Sequence, residues 1–352
     1  MLEIGIFDEE KLPSGNVRIS FRLPYTYYYF VACYLSRNIE KEEVKSKVSE
    51  ILDSIFRREE SHIWIFLTHL SPNRFIIQTL IDRAKSKLQD YAQIDLATDM
   101  KLLWGDMSPA MRLKFNDRPY KELSEDRARM ADDIEENYPE PQINDGDLPE
   151  AQLYASIKLI DISGQLLRNF IGTTELKDKV QLLVESYSLA LRSITYFVAI
   201  FKKSVTEYFS KMDNPDVSQD DKDGEREKEM LRKAYPLVQM YTYGVLHALA
   251  LSVAHKDLSL AYDEAKDSMS PSVSSDFLDV VVRLFSLDEY EELIDFGTNS
   301  KRYNTLFVKQ LASMAGFVYC YMTPIDSSKK QRICKKLGID FSSMQLLERR
   351  IR

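Results

Sequence analysis

The spacing of apolar residues changes once along this chain, near Tyr25. Before it, residues 3–7 (Glu-Ile-Gly-Ile-Phe) and 17–21 (Val-Arg-Ile-Ser-Phe) alternate in character around a polar stretch, Pro13-Ser14-Gly15-Asn16. That pattern predicts a short β-hairpin. An isolated hairpin is marginal in water, so this one must lean on the helices that follow or on a neighbouring domain. After Tyr25 the period is helical. Tyr27, Phe30, Val31, Tyr34 and Leu35 fall at i, i+3, i+4, i+7 and i+8, and Val44, Val48, Ile51, Leu52, Ile55 and Phe56 repeat the spacing. Ile63, Phe66, Leu67 and Leu70 make a third apolar face. Ser71-Pro72 then reads as an N-cap and first-turn proline for a fourth helix carrying Phe75, Ile76, Leu80 and Leu88.

A weakly patterned stretch follows, and Asp132–Glu150 holds eight acidic residues, three prolines and no basic residue, which marks the best boundary in the chain. Beyond it, Leu153, Ile157, Ile160, Gly164, Leu167 and Ile171 recur at helical spacing. A long apolar stripe from Val180 through Tyr187, Leu191 and Ile194 to Val205 reads with them as a helical hairpin turned at Gly172-Thr173-Thr174. Gly among apolar positions costs helix stability, so Gly164 is expected to let the two helices of this hairpin approach closely, with Ala nearly neutral or mildly destabilising there. Residues 212–229, rich in Asp and Glu and without an aromatic, are expected to form a mobile loop. Ser270-Pro271, Ser286 with Glu289, and Ser342 with Gln345 are read as helix starts. The expected organisation is a hairpin over 1–24, a first helical domain over 25–136, an acidic linker over 137–150 and a second helical domain over 151–352.

Only 11 Gly and 12 Pro punctuate the chain, too few for a many-stranded fold. The fold class is therefore mainly α: a multi-helix bundle or helical array with a short N-terminal β-hairpin. A net charge of −8 opposes a general nucleic-acid or anionic-membrane role. Cys33, Cys320 and Cys334 show no metal-ligand spacing and read as buried thiols of a reducing compartment, which makes the cytoplasm the expected location.

No Gly is followed directly by Lys anywhere, so no P-loop can cradle a nucleotide phosphate. The dinucleotide-binding, serine-hydrolase, zinc-protease and Cys-x-x-Cys patterns are also absent from the sequence. His62 with His69, and His247 with His255, lie about two helical turns apart, roughly 11 Å, too far to bind one ion directly. They read as packed structural histidines. No catalytic, cofactor-binding or metal-ligating residue is assigned, and no cofactor is expected. Tyr25, Tyr27, Tyr28, Tyr29 and Tyr34 read as core or domain-junction aromatics, with Tyr27 and Tyr34 on the inner stripe. Lys329, Lys330, Arg332, Lys335, Lys336, Arg349 and Arg350 concentrate positive charge near the end of the chain and are the candidate anion, nucleic-acid or partner contact. Residues 234–255 carry no charged side chain over 22 positions, long enough to span a bilayer. Gln239, Thr242, Ser252 and Pro236 within it favour instead a central helix buried on most sides.

Three stretches carry a family resemblance: Tyr27-Tyr28-Tyr29-Phe30-Val31-Ala32-Cys33-Tyr34-Leu35; Ile65-Phe66-Leu67-Thr68-His69-Leu70-Ser71; and Gly164-Gln165-Leu166-Leu167-Arg168-Asn169 followed by Ser186-Tyr187-Ser188-Leu189-Ala190-Leu191-Arg192. In order and spacing, over roughly residues 17–205, they resemble the helical region that follows the NTPase core in bacterial STAND (NACHT-like) proteins. The family has Gly where Ala190 stands. The resemblance implies that the hairpin corresponds to the end of a winged-helix element. It also implies a non-catalytic regulatory or sensor module of antiphage defence that acts by protein contact, with an NTPase partner or effector or as part of a larger STAND-like protein. The motifs are packing signatures and carry no active-site residue across. Two other classes stay open at this level: a membrane-associated helical protein using residues 234–255, and an enzyme whose site is assembled from residues distant in sequence.

Overall fold

A computed structural model describes residues 6–11, 17–104, 129, 146–212, 220–298 and 305–339. The chain is mainly α. It begins with an antiparallel hairpin, β1 (Phe7–Lys11) and β2 (Val17–Phe21), in the register Phe7 opposite Phe21, Glu9 opposite Ile19 and Lys11 opposite Val17. β1 starts where the first strand was expected to end, and residues 3–5 lie outside the described residues.

Thirteen α-helices follow among the described residues. The first five are α1 (Pro24–Arg37), α2 (Glu42–Asp53), α3 (Arg58–Leu70), α4 (Arg74–Ser86) and α5 (Thr98–Trp104). Three long ones form the middle: α6 (Pro149–Asn169), α7 (Leu176–Met212) and α8 (Asp220–Val253). After a short 3-10 turn (Lys256–Leu258) come α9 (Ser259–Ser268), α10 (Val273–Leu287), α11 (Tyr290–Thr298), α12 (Leu306–Met322) and α13 (Ser327–Leu337).

Local chemistry explains most of the boundaries. Pro24 occupies the first turn of α1, where its missing N–H costs nothing. Asn73 caps α4 by accepting a hydrogen bond from Phe75 N at 2.8 Å, so the cap lies two residues beyond the Ser71-Pro72 start expected from sequence. Ser272 and Ser275 form a reciprocal capping box at the start of α10. Ser286, expected to begin the next helix, lies inside α10 and donates to the Val282 carbonyl instead. Gly338 closes α13 with φ of 68°, a left-handed cap that glycine adopts without a Cβ clash. The Ser342–Gln345 start lies outside the described residues.

The acidic stretch does not divide the packing. α3 and α4 lie against α6 and α7, and one apolar cluster runs from Ala32, Val48, Trp64 and Leu80 through Leu159, Leu189 and Leu246 to Phe277 and Leu311. Polar ties cross in the same place. Arg192 Nη2 donates to the Ala84 carbonyl at 2.6 Å, Gln93 Nε2 to Ser188 Oγ at 3.1 Å, and Leu96 N to Ser274 Oγ at 2.9 Å. Of the expected loop at 212–229, residues 213–219 lie outside the described residues, while 220–229 are helical and open α8. Asp220, Asp221 and Asp223 suit a helix N-terminus, and Glu225, Arg226, Glu227, Lys228, Glu229 and Met230 are all good helix formers.

Gly164 does mark a close approach, to a different helix from the one expected. A β-carbon built there lies 2.5 Å from the carbonyl carbon and oxygen of Ser252 in α8, rather than against α7. The stretch that carries no charge is likewise a packed helix on one side: Tyr235, Val238, Gln239, Thr242, Val245, Leu246 and Leu249 are buried. Among the described residues no single helix is long and apolar enough to cross a membrane. Tyr235–Val253 with Lys256–Ser268 reach that length only as a pair bent by 94°.

Candidate functional site

Each histidine is engaged in packing. His62 Nδ1 donates to the Arg58 carbonyl at 2.7 Å, and its ring stacks on Tyr28. His69 Nδ1 lies 3.1 Å from Asn169 Nδ2, linking α3 to α6. His247 is sandwiched between Tyr243 and Phe285, and His255 accepts the Asp257 N–H at 3.2 Å to start the 3-10 turn. Among the described residues no group of three His, Cys, Asp or Glu side chains is arranged to hold a metal ion.

Cys320 and Cys334 are buried where α12 meets α13, and their thiols share a hydrogen bond. That bond and burial push the Cys320 thiol well above its usual range, while the same bond lowers Cys334. Cys33 is half-buried on α1.

The basic candidates separate once folded. Lys329 Nζ reaches Asp288 Oδ2 at 2.5 Å and lies 4.2 Å above the Tyr290 ring, while Arg332 Nη2 bonds Glu291 Oε2 at 2.8 Å. These two cations clamp α13 onto the α10–α11 junction, where Asp288 takes a left-handed conformation. Lys330 flanks the Cys320–Cys334 pair. Lys335 and Lys336 share the exposed last turn of α13. Arg349 and Arg350 lie outside the described residues.

Sequence periodicity did not reveal a buried charge hub between α9 and α10, because Asp263 and Lys266 come from one helix and Asp279 and Arg283 from the next, and only packing joins the two pairs. Asp279, 2% exposed, receives Lys266 Nζ at 2.7 Å and Arg283 Nε at 2.9 Å, and Arg283 Nη2 continues to Asp263 at 2.6 Å. Burial disfavours the Arg283 charge, but the two carboxylates outweigh it and hold its pKa above the ordinary value. Every strong partner here is a protein side chain, so the hub is built to lock α9 to α10.

Two of the exposed stripes are apolar. The stripe Tyr27, Phe30, Tyr34 faces outward, and the buried residues of α1 are Tyr28, Ala32 and Leu35, of which only Leu35 belongs to the face expected from sequence. Phe21 of the hairpin packs on it, 5.6 Å from Tyr27 and 6.1 Å from Phe30. A second apolar stripe runs along the outer side of α8: Leu237 (52% exposed), Met240 (56%), Gly244 and Leu251. Contiguous apolar surface of this kind marks interaction sites rather than chemistry. Comparison with protein-family models, with curated proteins and with solved structures finds no match to this chain.

Proposed function

We propose that this chain is a non-catalytic helical regulatory or sensor module that works through protein contacts, in the manner of the helical regions of STAND proteins in bacterial antiphage defence, with an NTPase or effector as its partner. The observation that carries this reading is the outward apolar stripe of α8, Leu237–Met240–Gly244–Leu251, on a helix whose opposite side is a core element. A partner helix laying its own apolar face on that stripe meets Leu237 and Met240 at i, i+3, with Gly244 one turn on leaving room for its side chains and Leu251 beyond. His62, the buried cysteine pair and the Asp279 hub each direct polar atoms to partners inside the fold, which favours contact over catalysis.

The test is co-purification of the tagged chain from phage-challenged bacteria with a nucleotide-hydrolysing protein. The reading expects an NTPase to be retained by the parent and lost with Leu237→Asp/Met240→Asp. A chain that binds and hydrolyses ATP or GTP by itself contradicts it, as does a partner indifferent to both substitutions.

A further inference from the structure

Among the described residues the hairpin has a free backbone edge of defined character. Arg22 N donates to the Ile6 carbonyl at 3.0 Å, which makes residues 6 and 22 a hydrogen-bonded pair in the β1–β2 register. Alternation along an antiparallel ladder then turns the N–H and C=O of Val17, Ile19 and Phe21 away from β1, toward the open side of β2. The same three residues share one face of the sheet, by the two-residue period of a strand. At the inner end of that face Phe21 packs against Phe7, Tyr27 and Phe30. Toward the outer end Ile19 is 61% exposed and Val17 is exposed as well.

The two edges of the hairpin differ in charge. β1 presents Asp8 and Glu9 as exposed residues, and pairing β1 with its own copy sets carboxylates against carboxylates. Like charges directly opposite one another destabilise a sheet, and charged edges are a known guard against pairing. β2 contains no acidic residue.

We propose that β2 pairs antiparallel with β2 of a second copy of this chain, about a two-fold axis at Ile19. In that register Ile19 faces Ile19 and Val17 faces Phe21 of the other copy, so each cross-strand pair on the shared face is apolar. The outward N–H and C=O groups of all three residues are satisfied at once. Val17, which extends past its own α1, comes to lie beside the second copy's Phe21, next to that copy's outward Tyr27 and Phe30. The contact is isologous and closes, leaving the acidic β1 strands as the outer edges of a four-stranded sheet.

The area fits. Val17, Ile19, Leu23, Tyr27, Phe30 and Tyr34 leave about 600 Å2 open per copy, taking each one's exposed share of the roughly 150–250 Å2 a large side chain presents when free. Two copies bring about 1,200 Å2 before strand backbone is added, the lower edge of what a stable specific contact buries. A patch of that size is at the upper limit of what a monomer leaves uncovered.

This inference does not rest on the α8 reading. Sedimentation equilibrium of the full chain is expected to give the mass of two chains, falling toward one on dilution, and Leu237→Asp/Met240→Asp is expected to leave that mass unchanged. Ile19→Lys is expected to give the mass of one chain at every concentration with an unaltered circular dichroism spectrum, since the side chain is mostly exposed. Ile19→Cys adds a positional readout. With oxidised glutathione as the acceptor of two electrons and two protons, its two thiols are expected to join as an interchain disulfide, releasing two glutathione thiols. Glu9→Cys, on the opposite strand, is expected to stay uncrosslinked under the same treatment. A one-chain mass for the parent at high concentration overturns the proposal. So does a two-chain mass that survives Ile19→Lys, or crosslinking of Glu9→Cys as fast as Ile19→Cys.

Discussion

Replacing Gly164 by Ala sets two effects of opposite sign against each other. In a helix interior Ala is better than Gly by about 0.8–1 kcal/mol. Against that, the new methyl meets the Ser252 carbonyl carbon and oxygen at 2.5 Å and the Ser252 Cβ at 2.6 Å, roughly 1 Å inside normal carbon contact. Two of the three atoms are backbone, so no rotamer change relieves the overlap. The end of α8 is also pinned: Ser252 Oγ bonds Asp161 at 3.4 Å, and Tyr262 OH donates to the Val253 carbonyl at 2.7 Å. Overpacking of this kind costs about 1–3 kcal/mol, and contact with fixed backbone belongs at the upper end. The expected net is a loss of about 1–2 kcal/mol for Gly164→Ala and more for Gly164→Leu. Gly244, on the exposed side of α8 with nothing within 4 Å of an added β-carbon, supplies the control. Gly244→Ala is expected to gain up to about 1 kcal/mol. Urea unfolding of the three variants reads both signs: the midpoint falls at 164 and rises at 244, with unchanged slope. A Gly164→Ala midpoint at or above the parent's refutes the close approach of α6 and α8.

Other substitutions test the interior. Asp279→Ala strands Lys266 and Arg283 beside an emptied buried site and is expected to cost about 3–5 kcal/mol by the same unfolding assay; a loss below about 1 kcal/mol would show the hub to be solvated. The Tyr187 hydroxyl is fully buried and has no hydrogen-bond partner among the described residues, so Tyr187→Phe is expected to be neutral or stabilising by about 1 kcal/mol, and a clear loss in melting temperature would reveal a partner. Burial, with help from Arg83, lowers the Lys87 amine to about 8. Because the unfolded chain then holds more protons than the folded one between about pH 8 and 10.5, this group's contribution rises with pH across that window and is unfavourable below it. Lys87→Met should therefore stabilise at pH 7, with the advantage gone by about pH 10.5; a pH-independent difference would rule out the buried amine as its cause.

Local periodicity was enough to place the helical hairpin turned at Gly172 and the helices around Val48 and Leu67, because their apolar stripes are buried at helical spacing whichever neighbours cover them. It misassigned the face of α1. Tyr27, Phe30 and Tyr34 are as apolar as the stripe that is buried, and only tertiary packing on α3 selects Tyr28, Ala32 and Leu35. The helical start of α8 was hidden by composition: charged residues without aromatics look like a loop, yet opposite charges at i, i+3, as in Asp223–Arg226, Glu225–Lys228 and Glu229–Arg232, also support a helix. The partner of Gly164 was out of reach because sequence shows that a helix needs a gap, not which helix fills it. The Asp279 hub and the free β2 edge depend on pairings across 13 residues or more and on strand register, neither of which periodicity encodes.

The account rests most heavily on the outer face of α8. The proposed reading expects that, in bacteria challenged with phage, protection by the chain with a co-expressed NTPase falls to the level of cells lacking the chain when Leu237→Asp/Met240→Asp is introduced, while the melting temperature of the purified variant stays at the parent's value. Undiminished protection by a folded variant would contradict the claim that this protein works through that surface.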